Sequence, residues 1–143
     1  MAGSKSDWLE NAILDHILGK SVTLLSTGNY GTVHVGLWNS TMNDTFTGAS
    51  TGEVASTDYA RVAVTNSSNS WTNSTAGSKT NKIEISFTTA ASSGWGTIKS
   101  AAICSSSGSS GHIFYYGDLT ANQVVSTGNT VKFTTGSLVI GEA

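Results

Sequence analysis

Lys82-Ile83-Glu84-Ile85-Ser86-Phe87 is the stretch that decides the fold. Polar and apolar residues alternate one for one, the period of a strand with one face buried and one face wet. The same period returns at Val33, Val35 and Leu37 among Thr32, His34 and Gly36, ending at Trp38. It returns at Ala60, Val62 and Val64 around Arg61 and Ala63, and again at Val131, Phe133 and Thr135. Ile98, Ala102 and Ile103 alternate less well, which predicts a strand buried on both faces. Residues 112–116 read as an aromatic strand, Val124-Val125 as a short one, and residues 138–140 as the last. Trp71 is placed on a short strand between two Asn/Ser clusters.

Between these runs lie turn formers. Residues 39–58 read as a long loop with few apolar anchors. Gly94-Trp95-Gly96 punctuates the chain, residues 105–111 form a Ser/Gly loop, and Gly117-Asp118 marks a turn.

Only the start of the chain has a helical period. Leu9, Ile13 and Ile17 recur at helical spacing, and Leu14 and Leu18 widen the stripe. Asp7 and Glu10 have capping-box spacing, with Ser6 as a competing N-cap, and Gly19 sits where a C-cap would end the helix. The predicted helix covers about residues 6–18. So wide an apolar stripe must be buried against its own sheet or a neighbour. The expectation is one domain over residues 1–143, with a β region over about 22–141. Its class is mainly β: an antiparallel β-sandwich or jelly-roll-like barrel of about eight short strands with one N-terminal α-helix.

Composition narrows the function. Ser (23), Thr (20), Gly (16) and Asn (10) make up 69 of 143 residues, and there is no Pro. Charged residues are 11% and the net charge is −2. The seven Lys and Arg are scattered singly, which argues against a nucleic-acid partner. Apolar runs are far short of the roughly 20 residues a membrane span needs. A basic-then-apolar leader is not seen, so synthesis in a cytoplasm is expected. A near-neutral polar surface repels its neighbours weakly and suits life in an assembly.

Catalytic and metal chemistry find little support. His16, His34 and His112 are the three His, and no Gly-x-Ser-x-Gly elbow frames a Ser. Asp44, Glu53 and Asp58, in or near the long loop, are the acids available to a calcium ion, at a spacing that matches no recognised calcium loop. Cys104 reads as a buried, unreactive thiol. Arg61, the only Arg, either holds a carboxylate such as Glu53 and pins the long loop or is a solvated strand residue. The expectation is a protein without cofactor or metal, and not an enzyme.

Four stretches taken together carry a resemblance: residues 7–19, Val33-His34-Val35-Gly36-Leu37-Trp38, Gly52-Glu53-Val54 with Tyr59-Ala60-Arg61-Val62-Ala63-Val64, and the C-terminal third. In that third, residues 111–119, 128–133 and 136–138 match best. In this order the chain resembles a family of small tailed-bacteriophage virion structural proteins, labelled head decoration, cement or tail-fibre-like. Residues 39–51 and 67–79 depart from the family pattern. The resemblance implies a virion protein that cements the head shell, with the major capsid protein and neighbouring copies of itself, as a trimer, for partners. Candidate interface residues are Trp8, Leu9, Ile13, Leu14 and Ile17 of the helix, with Trp38, Trp71, Trp95 and Tyr115, each of which has core packing as its alternative. The competing reading is a tail-fibre or adsorption module binding a host receptor, with Trp71 and Trp95 as a sugar platform.

Overall fold

The computed structural model describes residues 4–18, 31–91 and 93–141. The elements are β1 (Ser4–Lys5), α1 (Asp7–Ile17), β2 (Thr32–Trp38), β3 (Val62–Thr65), β4 (Ser78–Thr80), β5 (Ile85–Thr89), β6 (Gly96–Cys104), β7 (Ile113–Val125), β8 (Thr130–Phe133) and β9 (Val139–Gly141). The fold is mainly β and wholly antiparallel. A five-stranded sheet in the order β1-β7-β6-β2-β3 is accompanied by two ribbons, β4-β9 and β5-β8.

Register explains how the central strands are buried. Val35 lies opposite Ile103 and Leu37 opposite Ala101, while Gly36 lies opposite Ala102 and His34 opposite Cys104. Odd positions of β2 and β6 therefore share one face and even positions the other. The first face packs on Ile85, Phe87 and Phe133 of the β5-β8 ribbon. The second holds Trp38, Ala102, Cys104 and Ile113, covered by Met42 and Phe46 from the long loop. Burial of β6 on both faces, expected from its poor alternation, is what the sheet shows. The loop over 39–58 has more apolar anchorage than its composition suggested. Met42 and Val54 are both buried, Met42 over the second face and Val54 in the core of the first.

Several boundaries differ from expectation. Strand β5 starts at Ile85, and Ile83 is 43% exposed although it continues the alternation. The reason is Asn81, whose amide donates to the Ile83 carbonyl (2.8 Å) and holds that residue in a turn. Gly117-Asp118 is not a turn: β7 runs through it as one strand. Ser100 pairs with Asp118 and Ile98 with Gln123, so residues 119–122 bulge out opposite the single Lys99. Trp71 is not on a strand but makes one isolated bridge with Asn81. The two-residue β1 and three-residue β4 are too short to leave a periodic signal.

Ser6, rather than Asp7, caps α1: its hydroxyl accepts from the Leu9 N–H (3.4 Å). That hydroxyl also donates to the Ile113 carbonyl, and the Ser6 N–H donates to Phe114 O (3.2 Å). One small residue thus starts the helix and ties it to β7. Asp7 and Glu10 lie in the first turn, where they complement the helix dipole. The predicted Gly19 C-cap lies outside the described residues.

Asn81 plays the same part at the other end. It is fully buried. Its amide also donates to Thr134 O (2.8 Å), its side-chain oxygen accepts from the Leu138 N–H (2.9 Å), and its backbone carbonyl accepts from the Gly136 N–H (2.8 Å). It locks the last turn beneath Leu138, which is itself fully buried. Asn81→Ala strands several buried polar groups at once, and urea unfolding is expected to show a loss of about 3 kcal/mol. A loss below ~1 kcal/mol would mean water replaces the amide and the clamp is dispensable.

Candidate functional site

Among the described residues the most highly connected side chain is Arg61, just ahead of β3. It is 7% exposed, and all five of its N–H donors are used. Nε donates to Glu53 Oε1 and Nη2 to Glu53 Oε2, both at 2.7 Å, a bidentate pair. Nη2 also donates to Gly48 O (3.0 Å), and Nη1 donates to Ser106 O (3.0 Å) and Gly108 O (2.7 Å). The guanidinium lies over the Trp38 ring, 5.5 Å from its centroid. Gly36 makes room: a Cβ there would sit 2.8 Å from the Trp38 ring and 3.3 Å from Arg61 Cγ. Of the two readings open for Arg61, the carboxylate clamp on Glu53 is the one found.

Tyr59 extends the network. Its hydroxyl donates to Glu53 Oε1 (3.1 Å) and accepts from the Leu37 N–H (2.8 Å). Burial, with Glu53's charge adding to it, holds that phenol well above the ordinary tyrosine range. The Tyr59 ring stacks at 6.1 Å on Phe87 and meets Trp95 edge-on at 5.4 Å. Asp58 anchors the same segment. Its carboxylate accepts from the Ser56 hydroxyl, the Ala91 N–H and Trp95 Nε1 (3.2 Å for the last). Those bonds, Ser56 first and Ala91 next, hold its carboxyl far below the usual range.

These commitments bear on the metal and catalytic candidates. Glu53 and Asp58 are taken by protein donors. Among the described residues no three His, Cys, Asp or Glu gather at one point. His112 stacks face to face on Trp8, with ring centroids 3.9 Å apart and planes 8° apart. Burial lowers the pKa of His34, and Arg61 lowers it further. The side chain of His16 lies outside the described residues. Cys104 is a free buried thiol, as expected, pushed up to about 12 by burial. Among the described residues no helix is long and apolar enough to cross a membrane.

The nine interface candidates divide sharply. Leu9, Trp38, Trp71 and Trp95 are core residues, no more than 6% exposed. Trp8, Ile13 and Tyr115 are half-buried and pack against that core. Trp8 does so through His112 and Phe114, so the N-terminal half of α1 docks on its own sheet. Leu14 and Ile17 remain outside at 55% and 70% exposure, joined by Leu18 at 81%. These three stand at positions i, i+3 and i+4, one face of the helix. The expected Trp71–Trp95 sugar platform does not exist, because Trp95 is inside the aromatic cluster. Sequence reading missed the loop over Trp38; Met42 and Phe46, isolated apolar residues among polar ones, were the available signal.

Two expectations follow from this network. Arg61→Lys keeps the charge but loses the fork, leaving Glu53 and loop carbonyls unpaired. Chemical denaturation is expected to show a loss of about 3 kcal/mol, and less than ~1 kcal/mol would reduce the clamp to a bystander. The second concerns pH. The Cys104 thiol ionises at 9.0 when unperturbed and near 12 in the fold, so the folded chain holds its proton longer. Stability from this group is complete below the unperturbed value and is lost as pH rises toward the folded one. Tyr59 acts in the same direction at higher pH. Cys104→Ala is expected to flatten the fall in unfolding free energy above pH ~9, and an unchanged slope would exclude the thiol as its source.

Comparison with known proteins adds the identity. No curated protein matches the chain. A family model described as Podophage GP4 fiber I protein gp80 matches residues 4–141, nearly the whole length and every element described above. The chain belongs to that family of tailed-phage virion structural proteins and is a component of the phage particle.

Proposed function

We propose that the protein is a fibre-associated subunit of the virion, held to its neighbours through the exposed end of α1. The observation that carries this reading is the apolar triplet Leu14, Ile17 and Leu18 on a surface otherwise dominated by Ser, Thr, Gly and Asn. Covering such a side chain fully gains about 1.5–3 kcal/mol. Repetition along an assembly multiplies that gain through effective concentration, so no single tight site is needed. The partners under this reading are neighbouring copies of the chain and adjoining virion proteins. The family description names a fibre protein, which favours the fibre over head decoration. The work required is structural adhesion, and the Arg61 network serves it by stiffening the body behind the helix.

The test combines location and docking. Gold-labelled antibody on purified particles is expected to mark the tail region at a few to a few dozen copies; labelling of the head lattice at hundreds of copies would replace the fibre reading with decoration. Leu14→Ser, Ile17→Ser and Leu18→Ser together change only exposed positions, so the melting temperature should move by no more than a few degrees. Incorporation into particles is expected to fall at least about tenfold, the effect of losing ~1.4 kcal/mol. Wild-type incorporation of a folded triple variant would remove α1 from the interface.

A further inference from the structure

The end of α1 that stands clear of the sheet is acidic as well as apolar. Leu14, Ile17 and Leu18 are uncovered. Asp7 and Glu10, in the first turn of the same helix, are exposed too. So is Asp44, whose backbone carbonyl accepts from the Asp7 N–H (3.1 Å). Lys5 precedes them on β1. The three carboxylates share one neighbourhood. After burial itself, the charges of Asp44, Glu10 and Asp7 raise the pKa of the Tyr116 phenol. A surface that fits this end supplies an apolar side chain and positive charge that nothing cancels.

The chain has such a surface of its own. From Val62 to Ile83 it has no Asp or Glu, and it carries Lys79 and Lys82, both exposed. The two lysines meet at Ser68: Lys79 lines a shallow cleft with it, and Lys82 Nζ donates to its carbonyl (2.8 Å). A neutral carbonyl leaves the positive charge in place. Ile83, next in the chain, is held outside by the turn that Asn81 makes. Glu84, the nearest acid in sequence, is taken by Lys132 (2.9 Å), so that pair adds no net charge. Val124 is also exposed but fits less well. Its exposed neighbours on the β6-β7 pair, Lys99 and Asp118, carry opposite charges. We infer that copies of the chain join head to tail, the acidic apolar end of α1 on one copy seating against Ile83, Lys79 and Lys82 of the next. The two surfaces are different parts of one chain, so each joined pair leaves one of each free and the contact repeats. So few apolar side chains bury less than the roughly 1,200 Å² of a stable pair, and the contact holds by repetition. The inference rests on the docking role proposed for α1 and names its partner.

Disulfide trapping reads this contact in the full chain, with Cys104→Ala removing the native thiol. A chain carrying Ile17→Cys is mixed with an isotope-labelled chain carrying Ile83→Cys, oxidised, and the products are separated by mass. The mixed product is expected to exceed homodimers of the Ile17→Cys chain. It is also expected to exceed, at least about fivefold, the product obtained with Val124→Cys in place of Ile83→Cys. Lys79→Glu with Lys82→Glu should cut the mixed product at least about fivefold, and Asp7→Lys with Glu10→Lys on the other copy should restore it. All four positions are exposed, so melting temperatures are expected to move by only a few degrees. If the reversed helix unfolds, salt decides instead: at about 1 M, where screening acts within roughly 3 Å, the unreversed pair should lose yield. Three results would overturn the proposal: mixed product no greater than with Val124→Cys, homodimers of the Ile17→Cys chain in excess, or yields indifferent to charge reversal and to salt. If the Leu14, Ile17 and Leu18 triple variant still fails to enter particles after such a result, α1 stays a docking helix and its partner is another virion protein. Failure of the head-to-tail contact and failure of the docking role are therefore separately visible.

Discussion

The bidentate pair between Arg61 and Glu53 is the constraint on which the second face of the sheet depends. A single guanidinium gathers the carboxylate of one loop and the carbonyls of Gly48, Ser106 and Gly108. Two long polar segments, 39–58 and 105–111, converge on it. Neither has enough apolar content to order itself, because fixing each residue's backbone costs about 1–2 kcal/mol. Once they are gathered, Met42 and Phe46 lie over Trp38, and Trp38 is fully buried. The two terms are coupled: the ion pair holds the loop at the second face, and the loop's apolar residues complete the core there. A buried ion pair alone is weak support for stability. Here it is saturated with hydrogen bonds, which is the condition under which burial of charge is tolerated.

The same logic explains a chain so rich in Ser, Thr, Asn and Gly. Its small polar residues are not merely a wet coat. Asn39 holds the carbonyls of Trp95 and Thr97 (2.9 and 3.0 Å). The Ser100 hydroxyl, fully buried, lies within 2.8 Å of Ser40 O and 2.7 Å of Asp118 Oδ1. Ser6 and Asn81 secure the two ends. Each bond is worth only about 1 kcal/mol net, but each satisfies a backbone group that would cost more if buried alone. Loops elsewhere are often stiffened by Pro, which fixes φ and removes a donor. This chain, with no Pro, orders its loops by side-chain bonds to backbone instead.

Much of this was legible in the sequence, and the failures have physical causes. Alternation located β2, β3, β5 and β8, whose apolar positions share one face, and its breakdown marked β6, which is buried on both. It failed at Ile83, where a buried Asn81 bends the chain before the strand begins. It failed at Gly117-Asp118, because Gly and Asp are turn formers only when no neighbouring strand claims their backbone, and β6 claims it through Ser100 and Ala101. The Arg61 clamp was legible as a possibility, since a lone Arg beside a strand invites a carboxylate. Which aromatics lie outside was not legible. Trp38 follows the alternation of β2 onto the second face, and only the path of residues 39–48 decides whether that face is open.

The helix shows where fold and assembly part company. Its apolar stripe is continuous in sequence from Leu9 to Leu18, yet the sheet covers only the first half. Ser6 and the Trp8–His112 stack fix the N-terminal turn against β7, and that attachment sets the direction in which the rest of the helix leaves the sheet. Moving Leu14 and Ile17 onto the sheet would require breaking the cap and the stack together. The fold therefore does not merely leave these side chains uncovered; its own anchoring holds them out. An exposed apolar triplet on a rigidly anchored helix loses less entropy on docking than one on a free segment, because its orientation is already fixed before a neighbour arrives.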